Sequence, residues 1–284
     1  MDLLPRPRRA LAHVSALATG AVAAPAPRVT LNFHPTFLGR LAEEGVYRSQ
    51  FVTGTSNGGL TAHPGGDRWR WESRIFGGAY DDAPAHERPV YGALDHRRRP
   101  YGAAPRFGSA HLRLTADTLA RTTFCYPDSV LEPTDFGVAE RTAALIALAL
   151  ADDQDALDDY VEAQVHGPVE LGRDVEALVL DPSFRGTEVE AAARALPCPV
   201  EWHGGFRLTV DELRRHPGYR GPEFVELGAA IAEDGRLDPR IVQSAAESGR
   251  HDRQAVKRVW HLLARFGAPE TAPQTAPQTE DATR

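Results

Sequence analysis

Lysine is almost missing from this chain. Lys257 is the only one in 284 residues, so nearly all of the 32 basic side chains are arginine. With alanine so abundant, the bias reflects GC-rich coding and carries no arginine-based function by itself. Cysteine is scarce: Cys125 and Cys198 lie far apart and match no metal-ligand spacing, so two reduced thiols are expected in preference to a disulfide. No run approaches the roughly 20 apolar residues of a membrane span, so no membrane partner is expected. The net charge of −7 does not favour a nucleic-acid backbone as partner. Walker A, Gly-x-Gly-x-x-Gly and Gly-x-Ser-x-Gly patterns are absent. No His-Glu-x-x-His or other helical histidine pair occurs, and no metal is predicted.

What remains is ordinary globular composition, 42% hydrophobic and 25% charged, enough for one large or two small domains. The periodicity divides the chain into four parts: an N-terminal helix and stiff connector (1–27), an α+β core (28–207), a helical region (208–267) and a repetitive tail (268–284) expected to be disordered. Arg6 to Arg9 ahead of a small-residue run superficially resemble a secretion signal. That run has few large aliphatics, so an amphipathic surface helix is preferred and a cytoplasmic location expected, with secretion as an effector left open.

Within the core, strand-like runs are predicted at 29–33, 46–52, 88–94, 107–114, 122–126, 160–166, 175–180 and 199–202. Short helices are predicted at 37–44, 67–75, 139–150 and, behind a Thr187/Glu190 capping box, up to 196. The run 175–180, the following helix and the run 199–202 read as a parallel βαβ crossover. The stretch from Tyr160 to Pro182 carries the densest chemistry. Alternation places Glu162, Gln164 and His166 on one strand face and Val161, Ala163 and Val165 on the other. Such a face is either a solvated edge or a wall holding a catalytic carboxylate beside an amide and an imidazole. Arg48, read as lying on a strand, precedes the glycine-rich loop 53–66. Together with Ser49, Ser56 and Asn57 it offers anion-gripping chemistry, although a salt-bridged surface arginine reads equally well. His34 and His203 follow strand-like runs and fall at sheet rims.

VTLNFHP (29–35), YRSQFVTGTSNGGLTAHPGGDRWRWE (47–72), FGGAY (76–80), RPVYGAL (88–94), RFGSAHLRL (106–114), TTFCYPDS (122–129), YVEAQVHGPVEL and DVEALVLDPSF (160–184) together resemble a bacterial family known as domain of unknown function 3626. More distantly, the order of these segments is similar to ADP-ribosyltransferase-like domains. That resemblance implies a mixed, mainly antiparallel split sheet with flanking helices and NAD as the substrate, a small-molecule dinucleotide. A first-strand residue holds the dinucleotide, here Arg48 or His34, and a serine follows, Ser109 or Ser56. Glu162 would stabilise the oxocarbenium-like transition state, with Gln164 beside it and a protein side chain as a conceivable acceptor. The chain departs from the pattern in having no Ser-Thr-Ser triplet and in placing the glutamate before, not after, its polar neighbour. Two other readings stand beside this one: a non-catalytic interaction module on the same fold, and a hydrolase centred on His34, Glu162 and His166. Convergence of Arg48 and Glu162 on one cleft separates the first reading from both.

Overall fold

A computed structural model of the chain describes residues 3–20, 22, 27–54 and 61–269. Eight strands make one sheet: β1 (Val29–Phe33), β2 (Val90–Leu94), β3 (Ala110–Leu114), β4 (Thr122–Tyr126), β5 (Asp135–Val138), β6 (Glu162–Val165), β7 (Val175–Leu180) and β8 (Val200–Trp202). Their spatial order is β8-β7-β3-β1-β2-β6-β4-β5. Every neighbouring pair is antiparallel except β7 and β8, whose parallel register sets Val200 beside Leu178, as a βαβ crossover requires. The fold is therefore mixed α+β and mainly antiparallel.

The sheet has two unlike faces. On one, Leu31, Phe33, Leu112, Leu114, Phe124, Ala163 and Val165 form the main apolar core. Helices α2 (Leu38–Glu44), α4 (Ala143–Ala151) and α5 (Glu188–Arg194) close it with Leu38, Leu41, Leu145, Ala149 and Ala193. The other face is polar at its centre. The register sets Gln164 beside both Tyr91 and Thr123, and Glu162 beside both Ala93 and Cys125. Residues directly opposite in antiparallel strands share a face, so these side chains form two adjacent rows. Helix α1 (Pro5–Leu17), helix α3 (Asp67–Ile75) and the turn through Tyr80 cover the far end of this face with Val14, Trp71, Ile75, Phe76 and Tyr80.

The strands do not form two separate sheets, as the expected split implied. The sheet is continuous, but β1 and β2 are joined by only two residue pairs, Val29 with Leu94 and Thr30 with Ala93. No pairing continues through Leu31–Phe33 and Val90–Gly92. Gly92 stands where they part: a Cβ there would come within 2.4 Å of Leu31 Cδ2 and 2.7 Å of the Thr30 carbonyl. Only glycine permits that approach.

Two local expectations are corrected. Residues 46–52 are not one strand: Val46–Tyr47 pairs with Val169–Glu170, after which Gln50–Thr53 forms a helical turn. The Ser49 hydroxyl donates to the Ala85 carbonyl (2.6 Å) at the point where the chain turns away, so Arg48 follows a strand and is not part of one. The helix predicted at 139–150 starts later, and Asp135–Val138 ahead of it is a strand. That strand, β5, satisfies the otherwise open backbone edge of β4, and the helix begins only at Ala143. Both cysteines are free thiols.

Helices α6 (Pro222–Ile231), α7 (Pro239–Glu247) and α8 (Arg253–Phe266) share a second apolar cluster with Phe206, Leu208 and Leu213. The amphipathic spacing Val256, Val259, Trp260, Leu263 predicted that helix α8 buries one face, and all four are buried. Tyr101 and Leu157 join this cluster from the earlier part of the chain, so the helices pack on the loops of the sheet.

Candidate functional site

Where β1 and β2 part, a cleft opens over the polar face. Its floor is Glu162; Asn32 and Gly92 line the parting strands, and Tyr47, Tyr91, Phe107 and Tyr160 give aromatic walls. Its free space, including that open to solvent, is about 570 Å³. Asn32 builds one wall by spending its whole amide: Nδ2 donates to the carbonyls of Tyr101 (2.9 Å) and Gly108 (3.3 Å), and Oδ1 accepts from the Ala104 N–H (3.2 Å). The loop 101–108 is thereby pinned against the strand. Gly108 closes it so tightly that a Cβ would meet the Phe33 carbonyl at 2.0 Å.

Glu162 is only 6% exposed, yet its carboxylate is well supplied. Oε2 accepts from the Ser129 hydroxyl (2.9 Å) and Oε1 from Gln164 Nε2 (3.0 Å). Gln164 is fixed in turn, since its Oε1 accepts from the Thr123 hydroxyl at 2.8 Å. Arg68 Nη1 donates to Ser129 Oγ (3.0 Å), and its guanidinium lies 4.0 Å over the Tyr91 ring. Arg68 is 2% exposed, and its Nε has no hydrogen-bond partner among the described residues. Burial pushes the Glu162 carboxyl above its ordinary range and the adjacent Asp128 adds to this. The Arg68 charge and the hydrogen bonds from Gln164 and Ser129 pull it back.

The surrounding groups hold the walls. Tyr160 donates to Asp128 Oδ2, while Tyr91 donates to Glu72 Oε1 (2.9 Å). Glu72 is fully buried and paired with Arg88 at 2.6 Å; desolvation nonetheless raises its carboxyl to about 7. Arg68, Trp71, Glu72 and Ile75 are the buried residues of helix α3, spaced three and four apart. A stripe bearing two charges reads in sequence as a solvated face, which is why Arg68 escaped notice. Ser129, Asp128 and Tyr160 carry no local signal of a role, because only the tertiary fold brings them to Glu162 and its cleft.

A second cleft, of about 630 Å³, adjoins the first and shares Tyr47, Gln50 and Tyr91 as wall. Arg40 and Arg48 line it, each donating through Nε to Glu44 (2.8 Å). Arg48 is thus near Glu162's cleft but one compartment away. Ser49 is 3% exposed, with its hydroxyl committed to Ala85. Ser56 and Asn57 lie outside the described residues. His34 and Ser109 line a third cleft, beside Trp260. His203, at the rim of β8, donates through Nε2 to the Ser109 carbonyl (2.9 Å) and is buried. His166 is not in any of these clefts. At 1% exposure it packs 4.9 Å from the Phe76 ring and binds Tyr80 OH (2.8 Å) and Thr123 Oγ1 (3.0 Å) through its two nitrogens. Burial, aided by Arg121, lowers its pKa to about 3. The histidines and carboxylate of the hydrolase reading are therefore dispersed, and the described residues contain no group of three His, Cys, Asp or Glu placed to hold a metal ion.

Fold and site together define an α+β protein with a carboxylate at the floor of an aromatic-walled cleft. The chain belongs to a family of proteins of unknown function, DUF3626, whose model matches residues 28–153 and 150–266. No curated protein matches it. Among solved structures, DarT of Thermus sp. 2.9 in complex with NAD+ is similar to 64% of this chain and 98% of its own. The identity is 14% and the TM-score 0.40.

Proposed function

We propose that the chain is an ADP-ribosyltransferase-like enzyme that cleaves NAD in the Glu162 cleft and passes ADP-ribose to an acceptor. The observation that carries this reading is the Glu162 carboxylate itself. It is buried at a cleft floor, oriented by Ser129 and Gln164, and faced by Tyr91, Tyr160 and Phe107. The segment order that resembles ADP-ribosyltransferase-like domains adds to it.

The chemistry suits these residues. When the bond from ribose C1′ to the nicotinamide nitrogen breaks, the electron pair leaves with a ring that was already cationic, so no general acid is needed. The charge that develops is positive, on the ribose ring. A fixed carboxylate in a water-poor cleft stabilises it without reorganising. An acceptor nucleophile then bonds to C1′ and gives up its proton. The aromatic walls offer stacking surfaces for a planar ring. Arg48, in the adjoining cleft, is assigned to the pyrophosphate, and the shared walls Tyr47, Gln50 and Tyr91 let one extended dinucleotide lie across both compartments.

For this to work Glu162 must be ionised. Burial opposes ionisation and Arg68 favours it, so Arg68 is assigned the task of keeping the carboxylate charged through Ser129. The test is incubation with NAD labelled in the adenylate half, alone and with a bacterial lysate. Nicotinamide release or label transfer that is lost in Glu162→Gln supports the reading. Absence of NAD binding by calorimetry together with absence of turnover overturns it.

A further inference from the structure

We propose that the cleft between the end of β1 and helices α7 and α8 is a second ligand site, built for a small carboxylate that also carries an N–H donor and an apolar body. Its free space, including that open to solvent, is about 1280 Å³, roughly twice the 630 and 570 Å³ of the two clefts beside Glu162. Phe37, Val242, Val256 and Trp260 supply apolar walls. The Trp260 indole is preset: its Nε1 donates to the carbonyls of Pro105 (3.0 Å) and Arg106 (3.2 Å), and its ring meets His34 edge-on at 5.9 Å.

Three polar groups on this cleft have no use inside the protein. Gln243 Oε1 is buried without a hydrogen-bond partner, although its Nε2 donates to Glu247 at 2.9 Å. Arg253 lines the cleft and has no ion-pair partner among the described residues. The His34 ring nitrogens likewise have no hydrogen-bond partner among the described residues. Folded proteins rarely leave buried polar atoms unpaired, and this unused acceptor belongs to a side chain that lines the cleft. An arginine fork matches a planar carboxylate. Lys257, the only lysine of the chain, adds a second positive charge on the same helix. Burial and that charge keep His34 neutral, its pKa down to about 4, so its ring presents one donor and one acceptor to a ligand. Two cations and an amide oxygen around an indole fit an anionic head, an N–H and an apolar body in one molecule.

None of Arg253, Gln243, Lys257 and Trp260 lines the Glu162 cleft, so this site stands whether or not NAD is cleaved there. The test uses N-acetyl-L-phenylalanine, which carries all three features, titrated into the full chain with the Trp260 indole N–H followed by NMR and assigned through Trp260→Phe. Saturable binding that shifts this resonance is expected. The uncharged N-acetyl-L-phenylalaninamide should bind about tenfold more weakly or worse. Arg253→Ala, an exposed position whose melting should match the parent, and Lys257→Met should each bring the acid towards the affinity of the amide. Equal binding of acid and amide, unchanged binding in both variants, or no saturable binding of either compound overturns the proposal. Nicotinamide release, measured in parallel, reports on Glu162 alone, so the two readings fail separately.

Discussion

Glu162 opens β6 and His166 directly follows its last residue, four positions on and on the same side, and they have opposite fates. Alternation brings both to the polar side of β6, and neither is more polar by sequence context than the other. What covers them differs. Phe76 and Tyr80 close over His166, and Tyr80 and Thr123 take up both ring nitrogens. Glu162 instead lines the cleft, with the Ser129 and Gln164 donors holding its carboxylate and the Arg68 guanidinium bound to Ser129. A satisfied, sealed polar group specifies packing; one that is oriented but left facing a cleft is available for chemistry. Gln164 between them belongs to both, since Thr123 reaches Gln164 and His166 alike.

Separating the two roles is the sharpest test. Glu162→Gln keeps the shape and one of the two accepted hydrogen bonds while removing the charge. Nicotinamide release should fall by about 10²- to 10³-fold, the usual scale for losing a fixed electrostatic partner of the transition state. Its melting temperature should stay level or rise, because a buried carboxylate with a raised pKa costs the folded state more than an amide. A variant that melts early and loses activity in proportion would make Glu162 structural. His166→Ala should behave in the opposite way. The cavity and the orphaned Tyr80 hydroxyl should cost about 2–4 kcal/mol by denaturant unfolding, with turnover per folded molecule within about twofold of the parent. Loss of turnover in a folded His166→Ala protein would dissolve the contrast.

The shared face of Glu162, Gln164 and His166 is legible in the sequence, their opposite fates are not, and the missing part has a physical reason. Period-two alternation identified the Glu162 row, since it depends only on neighbouring residues. The parallel β7–β8 pair followed from local spacing in the same way, whereas the mainly antiparallel α+β class came from the family resemblance. What covers a strand face depends on contacts between distant segments. Ser129 lies 33 residues from Glu162 in sequence, and Tyr80 lies 86 from His166. Nothing local announces such pairs. Arg68 was hidden by its residue type on a helix whose charges face inward. Arg48 was found for the right residue type but with the wrong local structure, because the Ser49–Ala85 bond that turns the chain is also long-range.

Arg68 lets the electrostatics of the open end be measured directly. Its charge is the largest influence lowering the Glu162 pKa against burial. Arg68→Met removes it, so the folded-state pKa of Glu162 must rise further. Because the ionised carboxylate is the active form, the acid limb of the pH–rate profile should move to higher pH, with the rate recovering as pH increases. Glu72 permits a matching check on stability. Its folded pKa, about 7, lies above its unfolded value, so the native state holds more protons between roughly pH 4.5 and 7. Stability from this group is therefore present at the acid end of that window and is lost as pH rises through 7. Glu72→Gln should flatten that slope in melting temperature against pH. A pH–rate profile unmoved by Arg68→Met would remove Arg68 from any part in charging Glu162.

The smallest expected effect concerns whether the two adjoining clefts form one site. Arg48 is half-exposed and already shares Glu44 with Arg40, so Arg48→Ala should leave folding almost untouched. If the dinucleotide lies across both compartments, KM for NAD should rise about three- to tenfold with kcat nearly constant, the pattern of lost binding that is equal in ground and transition states. Nicotinamide mononucleotide, which lacks the adenylate half, should show a much smaller change in the same variant. Equal effects on both substrates would place the whole ligand over Glu162 and leave Arg48 as half of a surface ion pair. A rise confined to NAD would tie Tyr47, Gln50 and Tyr91 into a single binding surface, because they are the only walls the two clefts share among the described residues.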